Sequence, residues 1–564
     1  MLLLKKFQIK SEFIPVTIFS GITLLMYIGG LLHVLSYTIL LITGLGTLCL
    51  LWILCINRIT LADLKKLFTP GMAIFVVACA LLFFTYQHAR LTRNDDFSHW
   101  ALIVKQIAKE GRLPDSMTPL ITFQSYPPGS ALFIYYIIRI LGYGFDLNIV
   151  EGKMLFAQGM LIFSCLLTLF SLIQTRRKVL YGISIVVILV ASVFLLTLEM
   201  PLNTLVVDTL LPLVALANTV ILIGYRNDIK RAALLSIPLM VLTLLVKNTG
   251  IFFFAVNAVL LLILAIRAKG MQRLGLAVAG IAVPILMLLL WHNHVHLNFD
   301  NNTGMHAIDF ERYEQTYLEK EELGTDDIIQ GFLRKATDPK ERGLQLYIAW
   351  NMVLLLCVLG SLKQRPKIFV ALFILGNVLY VVYQAGVLLA YLYSMTMEEA
   401  MRLASYNRYH GTIIQYLVGV ATAAILFSWK RAKTFEYALA LLLIFTLSFP
   451  VMEGKLYTKL EPYTVQSMPY IDRLDQSVQD IEDPTAHAYT LYISPTWLAP
   501  EYVAFYARYS LDTTDVQVVY WVNDEDDFWD ILDDSDVFIV LDENDDLRDW
   551  LEPFGERESY IGVF

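Results

Sequence analysis

Charge is what this chain has least of. Only 17% of its 564 residues are Asp, Glu, Lys or Arg, against 57% apolar residues and a mean hydropathy of +0.58. That balance excludes a water-soluble globule of ordinary design and defines an integral membrane protein. Cysteine is also scarce. Cys49, Cys55, Cys79, Cys165 and Cys357 all lie in or beside apolar runs, so no disulfide framework is expected. No small-residue cleavage pattern follows the first apolar run, 13 to 32, which therefore reads as a retained helix rather than a signal peptide. The chain has no Walker loop and no dinucleotide fingerprint, so chemistry driven by a bound nucleotide is not expected.

What the chain does have is spanning hydrophobicity. Apolar runs at 13–32, 35–56, 72–89, 155–173, 179–197, 202–224, 231–246, 250–266, 273–291, 343–360, 369–390, 413–428 and 435–450 mark about thirteen spans. Basic connectors at Lys65–Lys66, Arg176–Lys178, Arg226–Arg231, Arg267–Arg273, Lys363–Lys367 and Lys430–Lys433 all fall on one side if the N-terminus is cytoplasmic. The apolar run from Ser130 to Tyr143 is short, and counting it as a crossing would invert everything after it. It reads as a juxtamembrane or partly inserted helix. Residues 90–154, 292–342 and 451–564 are then external, with 1–450 as the membrane domain and 451–564 as a soluble unit.

The soluble unit has an α/β pattern. Leu491–Ile493, Val516–Tyr520, Val537–Leu541 and Tyr560–Phe564 read as short strands, and Glu501–Tyr509 as a helix opened by Pro500. The acidic run from Asp524 to Asp536 lacks calcium-loop spacing and reads as solvated surface.

The most informative stretch is Arg93-Asn94-Asp95-Asp96-Phe97-Ser98-His99-Trp100, which puts two adjacent carboxylates and a histidine just beyond the span that ends near Arg90. Ionisable groups at a membrane edge are a functional-site hypothesis, with a solvated loop start as the plain alternative. Together with the Gly111-Arg112-Leu113-Pro114 turn, the Tyr126-Pro127-Pro128-Gly129 motif and a multi-span bundle carrying an external C-terminal unit, this stretch resembles the GT-C glycosyltransferases. These are membrane enzymes that use dolichyl- or polyprenyl-phosphate sugars. The resemblance covers most of residues 70–450 and is weak for the tail. It implies a polytopic α-helical fold with a GT-C-like bundle, external juxtamembrane helices and a small C-terminal α/β domain. It also implies an acidic residue of the first external loop beside the transfer centre, here Asp95 or Asp96, with 97–149 packed over a lipid-facing groove. The common Asp-Glu pair of the family is Asp-Asp here, which leaves the choice of carboxylate open.

The chemistry asks for the same residue types. Moving a sugar from a lipid phosphate to a hydroxyl needs a base near the acceptor and positive charge near the leaving phosphate. Asp95 or Asp96 is the candidate base, and partial burial would have to strengthen it. His99 returns to the same helical face as Asp96, where it orients a carboxylate, binds substrate or helps hold a divalent metal. Arg402 and Arg408 are candidate phosphate ligands, with Tyr406 and His410 in the same stretch, and interfacial snorkelling is the plain alternative. Lys247, between two apolar runs, and Tyr126 complete the substrate-binding set. His292, His294, His296 and His306 have poor zinc spacing and read as interfacial or acceptor-facing residues.

The expected activity is transfer of a sugar from a polyprenyl-phosphate donor to a cell-envelope glycan or glycolipid at the external membrane face. The partners are membrane lipid and glycan, with no nucleic acid. No cofactor is required, with a divalent metal left open. The short basic loops and the family pattern point to a bacterial source. The rival classes are a lipid-linked glycan transporter, against which stands the lack of a clear internal repeat, and a non-enzymatic envelope scaffold.

Overall fold

The computed structural model describes residues 2–55, 60–142, 147–175, 177–198, 201–299, 310–360, 367–428, 469–478, 481, 484–493, 500–519, 531, 536–541 and 560–562. The chain opens with α1 (Leu2–Lys5), α2 (Ile14–Leu31), α3 (Leu35–Cys55), α4 (Leu61–Leu67) and α5 (Pro70–Tyr86). A π-helical turn, Asp96–Trp100, leads into α6 (Ala101–Glu110), followed by α7 (Gly129–Ile140), α8 (Leu147–Leu167) and α9 (Lys178–Thr197). Next come α10 (Leu210–Gly224), α11 (Ile229–Val246), α12 (Gly250–Ala268), α13 (Met271–Asn298), α14 (Phe310–Leu323) and α15 (Thr325–Thr337). The bundle continues with α16 (Arg342–Gly360), α17 (Lys367–Tyr393), α18 (Met397–Met401) and α19 (Tyr406–Ser428). The C-terminal domain holds α20 (Pro469–Val478), β1 (Tyr489–Tyr492), α21 (Pro500–Leu511), β2 (Val516–Val519), β3 (Val537–Val540) and β4 (Tyr560–Gly562).

Among the described residues, ten helices are long and apolar enough to cross a membrane, or eleven if the pair α4 and α5, bent by 68°, is one span. The chain is a multi-pass α-helical membrane protein, with fewer such helices than the thirteen apolar runs. The run at 435–450 lies outside the described residues. The run at 202–224 is helical only from Leu210, because Pro201 precedes it and its first part carries Asn203, Thr204 and Asp208. The Thr204 hydroxyl accepts a bond from its own neighbour, Val206 N–H, at 3.2 Å, the local competition that keeps such residues out of helices. This buried, non-helical segment, 201–209, becomes a wall of the site.

Burial sorts the helices. Every residue of α10 from Leu210 to Leu222 is buried, including Asn218 and Thr219, as expected of a predominantly apolar helix at the centre of a bundle. By contrast α3, α13 and α17 expose Leu40, Leu48, Leu289, Ile374 and Val381, apolar faces suited to a lipid surround. The short α7 lies almost wholly buried among α2, α6, α8 and α11. Its twelve residues reach only about 18 Å, too short for a crossing. All five cysteines are free.

The C-terminal sheet is parallel, in the order β2-β1-β3-β4, with Tyr489 opposite both Val516 and Val537. The all-buried pattern of β1 and β3 fits inner strands of a parallel sheet. This domain packs onto the membrane bundle through α21, whose Tyr502, Tyr506 and Tyr509 surround Phe97 at 5.8, 4.9 and 5.4 Å between ring centres. Beside them the buried Arg90 pairs with Glu151 at 2.8 Å and Asp475 at 2.9 Å and donates to the Tyr506 hydroxyl at 2.9 Å. Gly152 makes that arrangement feasible: a Cβ there would sit 1.9 Å from the Tyr86 carbonyl, so only glycine lets the start of α8 bring Glu151 under Arg90. Lys105 donates to the Tyr509 and Ser510 carbonyls, and Gln106 and Lys109 reach Asp512.

Candidate active site

Four parts of the chain meet at one face of the bundle around a cavity of about 350 Å³. The segment after α5 contributes Thr92, Arg93, Asn94 and Asp95, the non-helical 201–209 segment Val206, the end of the α18–α19 connector Ser405 with Arg408 from the first turn of α19, and α21 Tyr502. Leu403 and Ser405 adopt left-handed backbone, φ 49° and 60°. Such conformations are uncommon outside glycine and concentrate at functional sites. Here they form the turn that precedes Arg408.

The two aspartates have opposite surroundings. Asp95 is 41% exposed at its side chain, lines the cavity and accepts a hydrogen bond from Arg408 Nη1. Asp96 is fully buried and accepts from Thr204 Oγ1 at 2.9 and 3.0 Å and from Leu205 N–H at 2.9 Å. Its carboxyl therefore pins the 201–209 segment to the π-helical turn, while Gln158 donates to the Thr204 carbonyl at 3.0 Å from α8. Burial pushes Asp96 up to about 8, with the Leu205 and Thr204 bonds acting the other way.

A raised carboxyl in the folded state makes a stabilising contribution that is complete below the ordinary value of 3.8 and is lost as pH rises through about 8. Asp96→Asn keeps the shape and the acceptor oxygen without the charge. The thermal midpoint of this variant, measured against wild type, should therefore improve steadily between pH 5 and pH 8. An unchanging difference across that range would refute the assignment.

Behind Asp95 the charges alternate. Arg408 Nε stands 3.7 Å from Asp208, and Lys247 Nζ donates to Asp208 at 2.9 Å. Burial works against the Asp208 carboxylate, but Lys247 and Arg408 outweigh it and hold it below its ordinary range. Burial also works against the Lys247 ammonium, and Asp208 more than restores its charge. Arg408 Nη1 is engaged by Asp95, while Nε is buried facing Asp208 without a hydrogen bond, so the guanidinium is held between two carboxylates.

Lys247 owes its position to the break between α11 and α12, where its own backbone is extended. The Tyr126-Pro127-Pro128-Gly129 motif packs against the same place: a Cβ on Gly129 would meet the Leu245 carbonyl at 2.6 Å. That close approach brings Tyr126 beside His99, 5.2 Å between ring centres, with Trp100 and Phe123 completing an aromatic cage. Neither ring nitrogen of His99 has a hydrogen-bond partner. Burial, and to a lesser degree Lys247, push His99 down to about 3, so the ring is neutral.

The expected residues thus divide. Asp95, Arg408, Asp208 and Lys247 form one chain of ion pairs, while the buried Asp96 and His99 and the half-buried Tyr126 sit around them. Arg402 is not brought in: it pairs with Glu398 one turn back, at 3.4 Å, and both side chains are exposed. Tyr406 and His410 face the packing of α19 instead. The His410 Nε2 is bonded to the Tyr380 hydroxyl at 2.9 Å, and Tyr406 rests edge-on against Phe332. His294 is also structural, its Nε2 bonded to the Pro114 carbonyl at 3.0 Å. Among the described residues, no three His, Cys, Asp or Glu side chains converge to hold a metal ion. Asp95, Asp96 and His99 each face a different set of partners.

Asp208, Thr204 and Tyr502 were not anticipated. Asp208 had a signal, since an acid at the start of an apolar run is costly in a membrane unless paired or functional.

No protein-family model matches the chain, and no curated protein matches it. Among solved structures it is similar to the crystal structure of ArnT from Cupriavidus metallidurans bound to undecaprenyl phosphate, with a TM-score of 0.41 and 14% identity over 80% of this chain and 86% of that one.

Proposed function

We propose that the protein is a membrane glycosyltransferase of GT-C type, with about thirteen spans and an external C-terminal domain. It moves a sugar from a polyprenyl-phosphate donor to a hydroxyl of an envelope glycan or glycolipid. The observation that supports this reading is the alternating chain Asp95, Arg408, Asp208, Lys247, which runs from an open cavity into the buried edge of an apolar bundle. A reachable carboxylate beside a fixed cation is what hydroxyl attack on the anomeric carbon of a lipid-phosphate sugar requires.

In the proposed step the acceptor oxygen forms a bond to the anomeric carbon and the bond from that carbon to the phosphate oxygen breaks. The electron pair leaves with the polyprenyl phosphate, and the hydroxyl proton passes to Asp95. In this reading Arg408 and Lys247 meet the charge growing on the leaving phosphate. Asp96 holds the 201–209 wall, and His99 and Tyr126 form the apolar layer beneath.

The test is turnover of purified full-length protein with a panel of polyprenyl-phosphate sugars and envelope glycans. Transfer with at least one pair is expected, and its absence from the whole panel would sink the reading. Lys247→Ala should lower kcat/KM for the donor by roughly 10²-fold, the usual loss for one fixed donor to a developing oxyanion. An unchanged donor kcat/KM in that variant would remove Lys247 from the site.

A further inference from the structure

We infer that Tyr502, carried by the C-terminal domain, is the ring on which the sugar of the acceptor rests, so that the domain supplies a wall of the active site and part of its acceptor specificity. The inference rests on the transferase reading for the word acceptor, and on geometry for the rest.

Tyr502, Tyr506 and Tyr509 follow one face of α21 at helical spacing. Two of them are consumed by docking: Tyr506 donates to Asp475 at 2.6 Å and accepts from Arg90, and the fully buried Tyr509 offers its carbonyl to Lys105. Tyr502 differs. It is only half-buried, touches Phe97 in a T-shaped contact and lines the same cavity as Asp95.

The cavity is also lined by Thr92, Arg93, Asn94 and Ser405, with Val206 and Arg408. A cavity lined by hydroxyl-, amide- and guanidinium-bearing residues together with one aromatic residue suits a pyranose, whose rim is hydroxyls and whose faces are C–H. The cavity lies between the bundle and the C-terminal domain, whereas Lys247 is buried behind it. A lipid donor reaches the cation side from the membrane, and the molecule that meets Tyr502 is the one arriving from outside. Phe97 follows Asp96 directly, so the tyrosine wall and the Asp95 carboxylate are held in one register.

The experiment compares Tyr502→Leu, which keeps apolar bulk against Phe97, with Tyr502→Phe, which keeps the ring. Tyr502→Leu is expected to raise the acceptor KM about 10-fold, leaving kcat and the donor KM within about twofold, while Tyr502→Phe stays near wild type. An unchanged acceptor KM in Tyr502→Leu, or a fall in kcat that Tyr502→Phe does not rescue, overturns the inference and leaves Tyr502 a packing residue. A second arm needs no turnover. Tyr502→Trp is titrated with neutral and amino-sugar disaccharides, and its indole fluorescence is compared with the same titration of Tyr502→Leu to subtract the nine native tryptophans. Saturable quenching upholds the platform even if wild type transfers nothing, an outcome that would sink only the transferase reading. No quenching together with no transfer sinks both.

Discussion

Asp95→Asn should lower turnover by roughly 10²- to 10⁴-fold, the range lost when a positioned base is removed. The amide keeps the size of the carboxylate and can still accept a bond from Arg408, so the arginine need not move far. What it cannot do is take the acceptor proton. The loss should therefore appear in kcat, with little change in the apparent affinity for the lipid donor. Asp96→Asn provides the internal contrast, because that carboxyl is buried on Thr204 and Leu205 and does not line the cavity. Its turnover should stay within about tenfold of wild type, the cost of a small shift in the 201–209 wall. Turnover surviving in Asp95→Asn but lost in Asp96→Asn would reverse the two roles. Turnover surviving in both, and in the double variant, would remove the base from this loop altogether.

The membrane class and most spans were legible because lipid imposes a simple condition, about twenty apolar residues per crossing, that a single sequence displays directly. The parallel strands at 489–492, 516–519 and 537–540 were legible for a similar reason, as short apolar runs between turn residues. The site was only half legible. Asp95 and Arg408 each lie at the edge of an apolar run, where charge is conspicuous, yet 313 positions separate them and nothing local pairs them. Asp208 was hidden because the run from 202 to 224 looks like one span until Thr204 and Asp208 are seen to keep its start out of the helix. Arg402 looked as good as Arg408, but it caps the end of α18 while Arg408 opens α19, and the left-handed turn at Leu403 and Ser405 between them has no clear signal in the sequence. The docking of α21 had no sequence signal, because tyrosines at helical spacing look alike whether they face a neighbouring domain or solvent.

The largest structural effect is expected at Arg90. Its guanidinium is 1% exposed and satisfies Glu151, Asp475 and Tyr506 at once, tying the end of α5, the start of α8 and the C-terminal domain to the base of the Asp95 segment. Arg90→Ala leaves the fully buried Glu151 with the Leu91 N–H at 3.0 Å but without its cation. Removing one partner of such a pair costs about 3–5 kcal/mol, because the remaining charge is stranded away from water. The loss should fall on the docking of the C-terminal domain, which would become susceptible to limited proteolysis while the membrane bundle stays intact. Turnover should fall with it, since Phe97 and Tyr502 would no longer be held together. The double variant Arg90→Met with Glu151→Gln separates the causes. It removes both charges and keeps the bulk, so it should recover much of the protease resistance if the stranded Glu151 carboxylate is the source of the instability. If the double variant is cleaved as fast as Arg90→Ala, the cost lies instead in the lost bonds to Asp475 and Tyr506, and the domain is held by its own side of the interface.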